Sequence, residues 1–102
     1  LGLYGLSKAA LAQLARNLAV EWGPANVRVN AISPGVIHTE FARPLTEMPL
    51  VMEKRLALTP LRRVGTHEEI AGLDLLLAAP AGGFITGQNL IVDGGTTIGD
   101  GN

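Results

Sequence analysis

Leu6, Ala10, Leu11, Leu14, Leu18 and Trp22 recur at helical steps, with the polar Ser7, Gln13, Arg16, Asn17 and Glu21 at the positions between. That period predicts one amphipathic helix from about Leu3 to Trp22. Alanines at 9, 10, 12, 15 and 19 favour helix and let another helix approach closely. Gly23-Pro24 ends it. Val27, Val29 and Ala31 then alternate with Arg28 and Asn30, a strand period reaching about Ile32, and Ser33-Pro34-Gly35 stops it. From Val36 to Pro60 no period holds. Pro44, Pro49 and Pro60 break that segment, leaving helical turns around His38 to Arg43 and Leu50 to Leu58. Thr66 followed by Glu69 is a capping box that opens a helix to about Ala79, with Ile70, Leu73, Leu76 and Leu77 on its apolar face. A Gly82-Gly83 turn leads to a last strand, Asn89 to Val92, closed by Asp93-Gly94-Gly95. The glycine-rich tail after Thr96 is expected to fray.

Helix, strand, broken segment, helix, strand is the order of an α/β layer. The long, helix-containing connection between the strands favours a parallel pair with a right-handed crossover. Two strands make no stable sheet alone, so further strands are expected before Leu1. Leu1 itself is not a Met, and a chemically loaded Tyr follows three residues later, so the reading expects a piece of a longer chain.

Composition narrows the class. Apolar residues make up 47% of the chain, charged residues 17%, and the formal net charge is −1, which fits a globular domain. The eight Lys and Arg are scattered, which argues against nucleic acid or an anionic membrane surface as partner. The apolar run Leu75 to Ala79 is too short to span a bilayer. There is no cysteine, hence no disulfide, thiolate metal site or thiol nucleophile, and the expected compartment is the cytoplasm. No clustering of His, Asp and Glu points to a metal.

Tyr4 and Lys8 stand four residues apart at the start of the first predicted helix. At 3.6 residues per turn they lie about 40° apart, so both project from one face. A phenol with an unperturbed pKa of about 10 is a poor acid or base near neutrality. A neighbouring ammonium favours the phenolate and lowers that value by roughly 1–3 units. An oxidised nicotinamide, itself a cation, would help further, so the pair makes most sense beside a charged cofactor. Taken alone, the spacing is common on any helix and better describes a half-buried Tyr stacked on the stem of a surface Lys.

The surrounding segments reverse that weighting. Tyr4-Gly5-Leu6-Ser7-Lys8-Ala9-Ala10-Leu11 resembles the active-site helix of the short-chain dehydrogenase/reductase (SDR) family. Val27-Arg28-Val29-Asn30-Ala31-Ile32-Ser33-Pro34-Gly35 resembles that family's strand leading into a Pro-Gly turn, and Thr39 sits at its Thr position. Pro60-Leu61-Arg62-Arg63-Val64-Gly65, Glu68-Glu69-Ile70-Ala71, Ile85-Thr86-Gly87-Gln88 and Val92-Asp93-Gly94-Gly95 follow in the family's order.

The resemblance implies an NAD- or NADP-dependent oxidoreductase acting on a small carbonyl or alcohol. It makes Tyr4 the general acid/base on the substrate oxygen, and Lys8 the group that tunes it and binds the nicotinamide ribose. Pro34, Gly35 and Ile37 would form the turn against the nicotinamide, with the Ile37 backbone and the Thr39 hydroxyl near its carboxamide. A Pro-Gly turn just past a strand's C-terminal end is indeed where open α/β sheets bind ligands. Residues 1–102 would be the C-terminal half of one Rossmann-like, doubly wound parallel sheet, with a substrate loop over about 36–60. The family's glycine-rich phosphate loop, ribose selector, mid-sheet Asn and catalytic Ser would precede Leu1, so the 102-residue chain alone is expected to be inactive. Its open sheet edge and apolar surface are expected to make it self-associate. The whole enzyme would be a two-fold homodimer or homotetramer. Against this stands a non-catalytic scaffold or assembly module, which the intact Tyr4–Lys8 pair opposes because nothing structural requires both.

Other conspicuous residues read more plainly. Asp93-Gly94-Gly95 is a turn rather than a phosphate or cation loop, and Gly82, Gly83 and Gly87 are no dinucleotide fingerprint. His38, His67 and Asp74 are expected in solvent, and Met48 and Met52 in packing.

Overall fold

The computed structural model describes residues 2–38 and 48–99, Tyr4 by its backbone only. Its helices are α1 (Gly2–Trp22), α2 (Pro49–Ala57) and α3 (His67–Ala78), and its strands β1 (Ala31–Pro34) and β2 (Asn89–Val92). The chain divides into two compact units. One comprises Leu1–Ile32 with Leu75–Leu90, the other Ser33–Asp74 with Ile91–Asn102. Among the described residues no helix is long and apolar enough to cross a membrane.

The two strands pair in one sheet. Ala31 N–H donates to Gln88 C=O at 2.8 Å and Gly35 N–H to Val92 C=O at 2.9 Å. Both positions advance together along the chain, so the pair is parallel, as its long connection predicts. β1 begins later than the alternating pattern implies and runs through Pro34 rather than stopping before it. Both shifts have physical reasons. Residues 28–30 are partnered by an irregular loop instead of a ladder: the Arg28 guanidinium donates to Gly82 C=O at 2.9 Å and Val29 N–H to Thr86 Oγ1 at 3.1 Å. Asn30 pairs through its side chain, donating to Ile85 C=O and accepting from Gln88 N–H, each at 3.0 Å. Pro34 fits in β1 because donation toward β2 falls on residues 31 and 35, so a missing N–H at 34 falls on the opposite edge.

In the first unit α1 packs by its small residues, not by the leucine stripe that its period suggests. Ala15 and Ala19 are 5% and 7% exposed, whereas Leu6, Leu11, Leu14 and Trp22 stay open to solvent. The cause is close backbone approach. A Cβ on Gly87, whose φ is +72°, would lie 3.4 Å from the Ala19 Cβ. Larger side chains on this face would push the helix away from Gly87.

In the second unit α3 opens with the predicted capping box. Glu69 N–H donates to Thr66 Oγ1 at 3.3 Å, and Thr66 N–H to the Glu69 carboxylate at 3.0 Å. Arg63 adds a two-pronged ion pair to that carboxylate, both contacts 2.7 Å. Ile37 and Gly65 form an isolated parallel bridge. Of the tail after Thr96 expected to fray, the start lies in a 3-10 turn, Thr96–Ile98, and residues 100–102 lie outside the described residues. Of the helical turn expected at His38 to Arg43, residues 39–43 lie outside the described residues.

Candidate active site

In the first unit α1 contains both position 4 and Lys8, one helical turn apart. Positions 4 and 8 share one angular sector of α1 with the alanines at 12, 15 and 19. Lys8 is exposed, and the Ser7 hydroxyl between the two is tied to its own helix through Leu3 C=O at 3.0 Å.

The second unit holds Pro34, Gly35 and Ile37 on the backbone leaving β1. Gly35 is required by crowding: a Cβ there would lie 2.8 Å from the Asp93 Cα. Ile37 is 9% exposed. Its bridge uses the neighbours' peptide groups, with Gly65 N–H donating to Val36 C=O at 2.9 Å and His38 N–H to Gly65 C=O at 3.0 Å. In that register Ile37's own N–H and C=O point to the side away from Gly65. Thr39 lies outside the described residues. His38, His67 and Asp74 are exposed, in keeping with their plainer readings.

A cavity of about 110 Å³ opens in this unit between Ile37, Leu56, Thr59, Leu61 and Val92, with Asp93 at its wall. The Asp93 carboxylate caps its own turn: its Oδ1 accepts from Gly95 N–H at 2.8 Å and its Oδ2 from Thr97 N–H at 2.9 Å. Partial burial pushes this carboxyl up, but the Thr97 and Gly95 donors outweigh it and hold its pKa below the ordinary aspartate value. At the exposed Glu69 the Arg63 hydrogen bond, helped by Thr66 N–H, pulls the pKa down to about 2. Sequence reading missed Thr59, the one buried polar side chain among the described residues. Its only signal is a threonine one residue before Pro60, which marks no chemistry.

Residues 1–97 match the family model described as Enoyl-(Acyl carrier protein) reductase. The chain belongs to the short-chain dehydrogenase/reductase family. Among curated SDR relatives, a tropinone reductase homolog of Arabidopsis thaliana is 46% identical over 96 residues, covering 94% of this chain and 31% of the relative. A galactitol 2-dehydrogenase (L-tagatose-forming) of Cereibacter sphaeroides is 46% identical over 95 residues, 93% of this chain and 37% of the relative. The chain thus spans about a third of the length of these relatives. Among solved structures, 4-hydroxyisoleucine dehydrogenase complexed with NADH superposes with a TM-score of 0.92 at 37% identity, over 95% of this chain and 40% of that one. A candidate 2-deoxy-D-gluconate 3-dehydrogenase of Agrobacterium tumefaciens with bound NADP gives 0.89 at 35%, over 93% and 39%. The SDR fold is Rossmann-like α/β, as the element order implied.

Proposed function

We propose that the full-length protein is an NAD(P)-dependent oxidoreductase that interconverts a small alcohol and its carbonyl, with Tyr4 as general acid/base and Lys8 as its electrostatic partner. The observation that carries this reading is a Tyr-x-x-x-Lys pair on one face of α1, in a chain 46% identical to a dehydrogenase over 93% of its length. In carbonyl reduction Tyr4 gives its hydroxyl proton to the substrate oxygen; in alcohol oxidation its phenolate takes that proton back. The Lys8 ammonium favours the phenolate and so narrows the gap between the two directions.

The residues present fit a nicotinamide. A carboxamide needs one donor and one acceptor, and the Ile37 peptide has both turned away from its bridge with Gly65. Ile37 would hold that group, with the Thr39 hydroxyl beside it, while Pro34 and Gly35 form the adjoining wall. When bound, the nicotinamide supplies or accepts the hydride. Residues 36–60, α2 among them, are read as the substrate loop of a single SDR domain. Bound NADP and NADH in structural relatives support the cofactor class. The test is nicotinamide absorbance with the full-length protein, both cofactors, and a panel of secondary alcohols and ketones. Expected is turnover of at least one pair; no turnover together with no cofactor binding would sink the reading.

A further inference from the structure

In the second unit the turn after β2 touches two separate parts of the chain. One is Gly35, whose Cα side is closed by Asp93. The other is the stretch leaving α2. Leu61 N–H donates to Gly94 C=O at 3.1 Å. A Cβ on Gly94 would lie 3.0 Å from the Thr59 Cγ2, and one on Gly95 2.8 Å from the Pro60 Cγ. Both glycines also have positive φ, +64° and +91°, which a side chain would strain.

Hydroxyls tie the same parts together. Thr59 Oγ1 lies 2.8 Å from Arg55 C=O in the last turn of α2, and 3.1 Å from Thr96 Oγ1. Thr96 Oγ1 in turn lies 2.8 Å from Asp93 C=O. Three contacts share two hydroxyl protons, so one hydroxyl must leave its own carbonyl to donate across. Each carbonyl has a backbone donor in reserve, Leu58 N–H for Arg55 and Thr96 N–H for Asp93, both at 3.2 Å. The cross-link therefore forms without orphaning a carbonyl. The Asp93 carboxylate, bonded to Gly95 and Thr97 N–H, keeps the turn in shape.

We propose that the Asp93–Thr97 turn is a strut that fixes the C-terminal end of α2 relative to the Pro34-Gly35 turn, with Thr59 and Thr96 as positioning residues for the substrate loop. The positioning role rests on the function proposed above; the tether does not. Thr96→Val in the full-length protein removes the cross-link while keeping shape, and Thr96→Ser restores it. Amide hydrogen exchange over residues 49–58, without cofactor or substrate, should speed up about five- to ten-fold in the Val variant and return to wild type in the Ser variant. Unchanged exchange in Thr96→Val overturns the strut, whatever the activity. With the substrate found above, the Val variant should raise KM several-fold and leave kcat and the cofactor Kd within two-fold. Faster exchange with unchanged KM, or an equal loss of kcat and cofactor affinity, overturns the positioning role. A wild-type protein without hydride transfer would count against the proposed function alone and would leave the exchange result to decide the tether.

Discussion

At the scale of single residues, the proposed mechanism divides the work between a proton on Tyr4 and a charge on Lys8. Tyr4→Phe in the full-length protein deletes the proton but keeps the ring, so turnover should fall by roughly 10²–10⁴-fold with cofactor affinity largely intact. Turnover within a few-fold of wild type would remove Tyr4 from the role. Lys8→Ala should instead lower both turnover and cofactor affinity, and a normal cofactor Kd there would remove the ribose contact. A different residue makes a pH prediction. The Glu69 carboxyl is held at about 2, below its ordinary 4.5, by Arg63 and Thr66. A carboxylate with a depressed folded-state pKa stabilises fully above its unfolded value and loses that contribution as pH falls through the folded value. The Tm difference between wild type and Glu69→Gln should therefore hold from pH 7 to about 4.5 and shrink toward pH 2. It should also shrink with added salt, because the pair is exposed. A gap that stays constant down to pH 2 would contradict the ion pair.

At the scale of elements, local signals were legible wherever the chain carries its own punctuation. The capping box set the start of α3, and the Gly-Gly turn and Asp-Gly-Gly turn bracketed β2 at the residues observed. Signals that depend on partners were not. Val27 to Asn30 has a strand's alternation, yet its partners are the loop 82–88, which periodicity cannot see. The leucine period does not show which face of α1 packs within its unit, because a hydrophobicity pattern ranks leucine above alanine, whereas close approach of Gly87 selects for small size. For the candidate site, Tyr4, Lys8 and the Pro34-Gly35 turn were readable as motifs. The Thr59–Thr96 cross-link, which joins residues far apart in sequence, was not. The α1 contact can be tested directly. Gly87→Val places a β-branched side chain at φ +72° and against Ala19, and should cost about 1–3 kcal/mol of stability, read as a lowered denaturation midpoint. A midpoint equal to wild type would show that α1 does not sit against this loop.

At the scale of the whole molecule, the first unit leaves much apolar surface to water. Leu3, Leu6 and Val20 on α1, and Leu75 and Phe84 beyond it, are all largely exposed, Val20 at 81%. Among the described residues the sheet has two strands, fewer than a stable independent sheet needs. Unpaired strand edges and exposed apolar side chains both favour association with whatever similar surface is available. The 102-residue chain by itself should therefore self-associate at micromolar concentration, with light scattering reporting a mass above the monomer. In the full-length protein the strands expected before Leu1 would cover the sheet edge, and the proposed two-fold homodimer or homotetramer would draw on the apolar surface that they leave open. The chain alone should also bind neither NAD nor NADP with micromolar affinity. A dinucleotide's pyrophosphate is held by a glycine-rich turn at a helix N-terminus, and the sequence has none following a strand. The two measurements are independent: binding without association would move the pyrophosphate contact onto residues present in this chain. A folded monomer without binding would instead show that the exposed leucines of α1 are tolerated in water, and that assembly of the full-length protein draws on other surfaces.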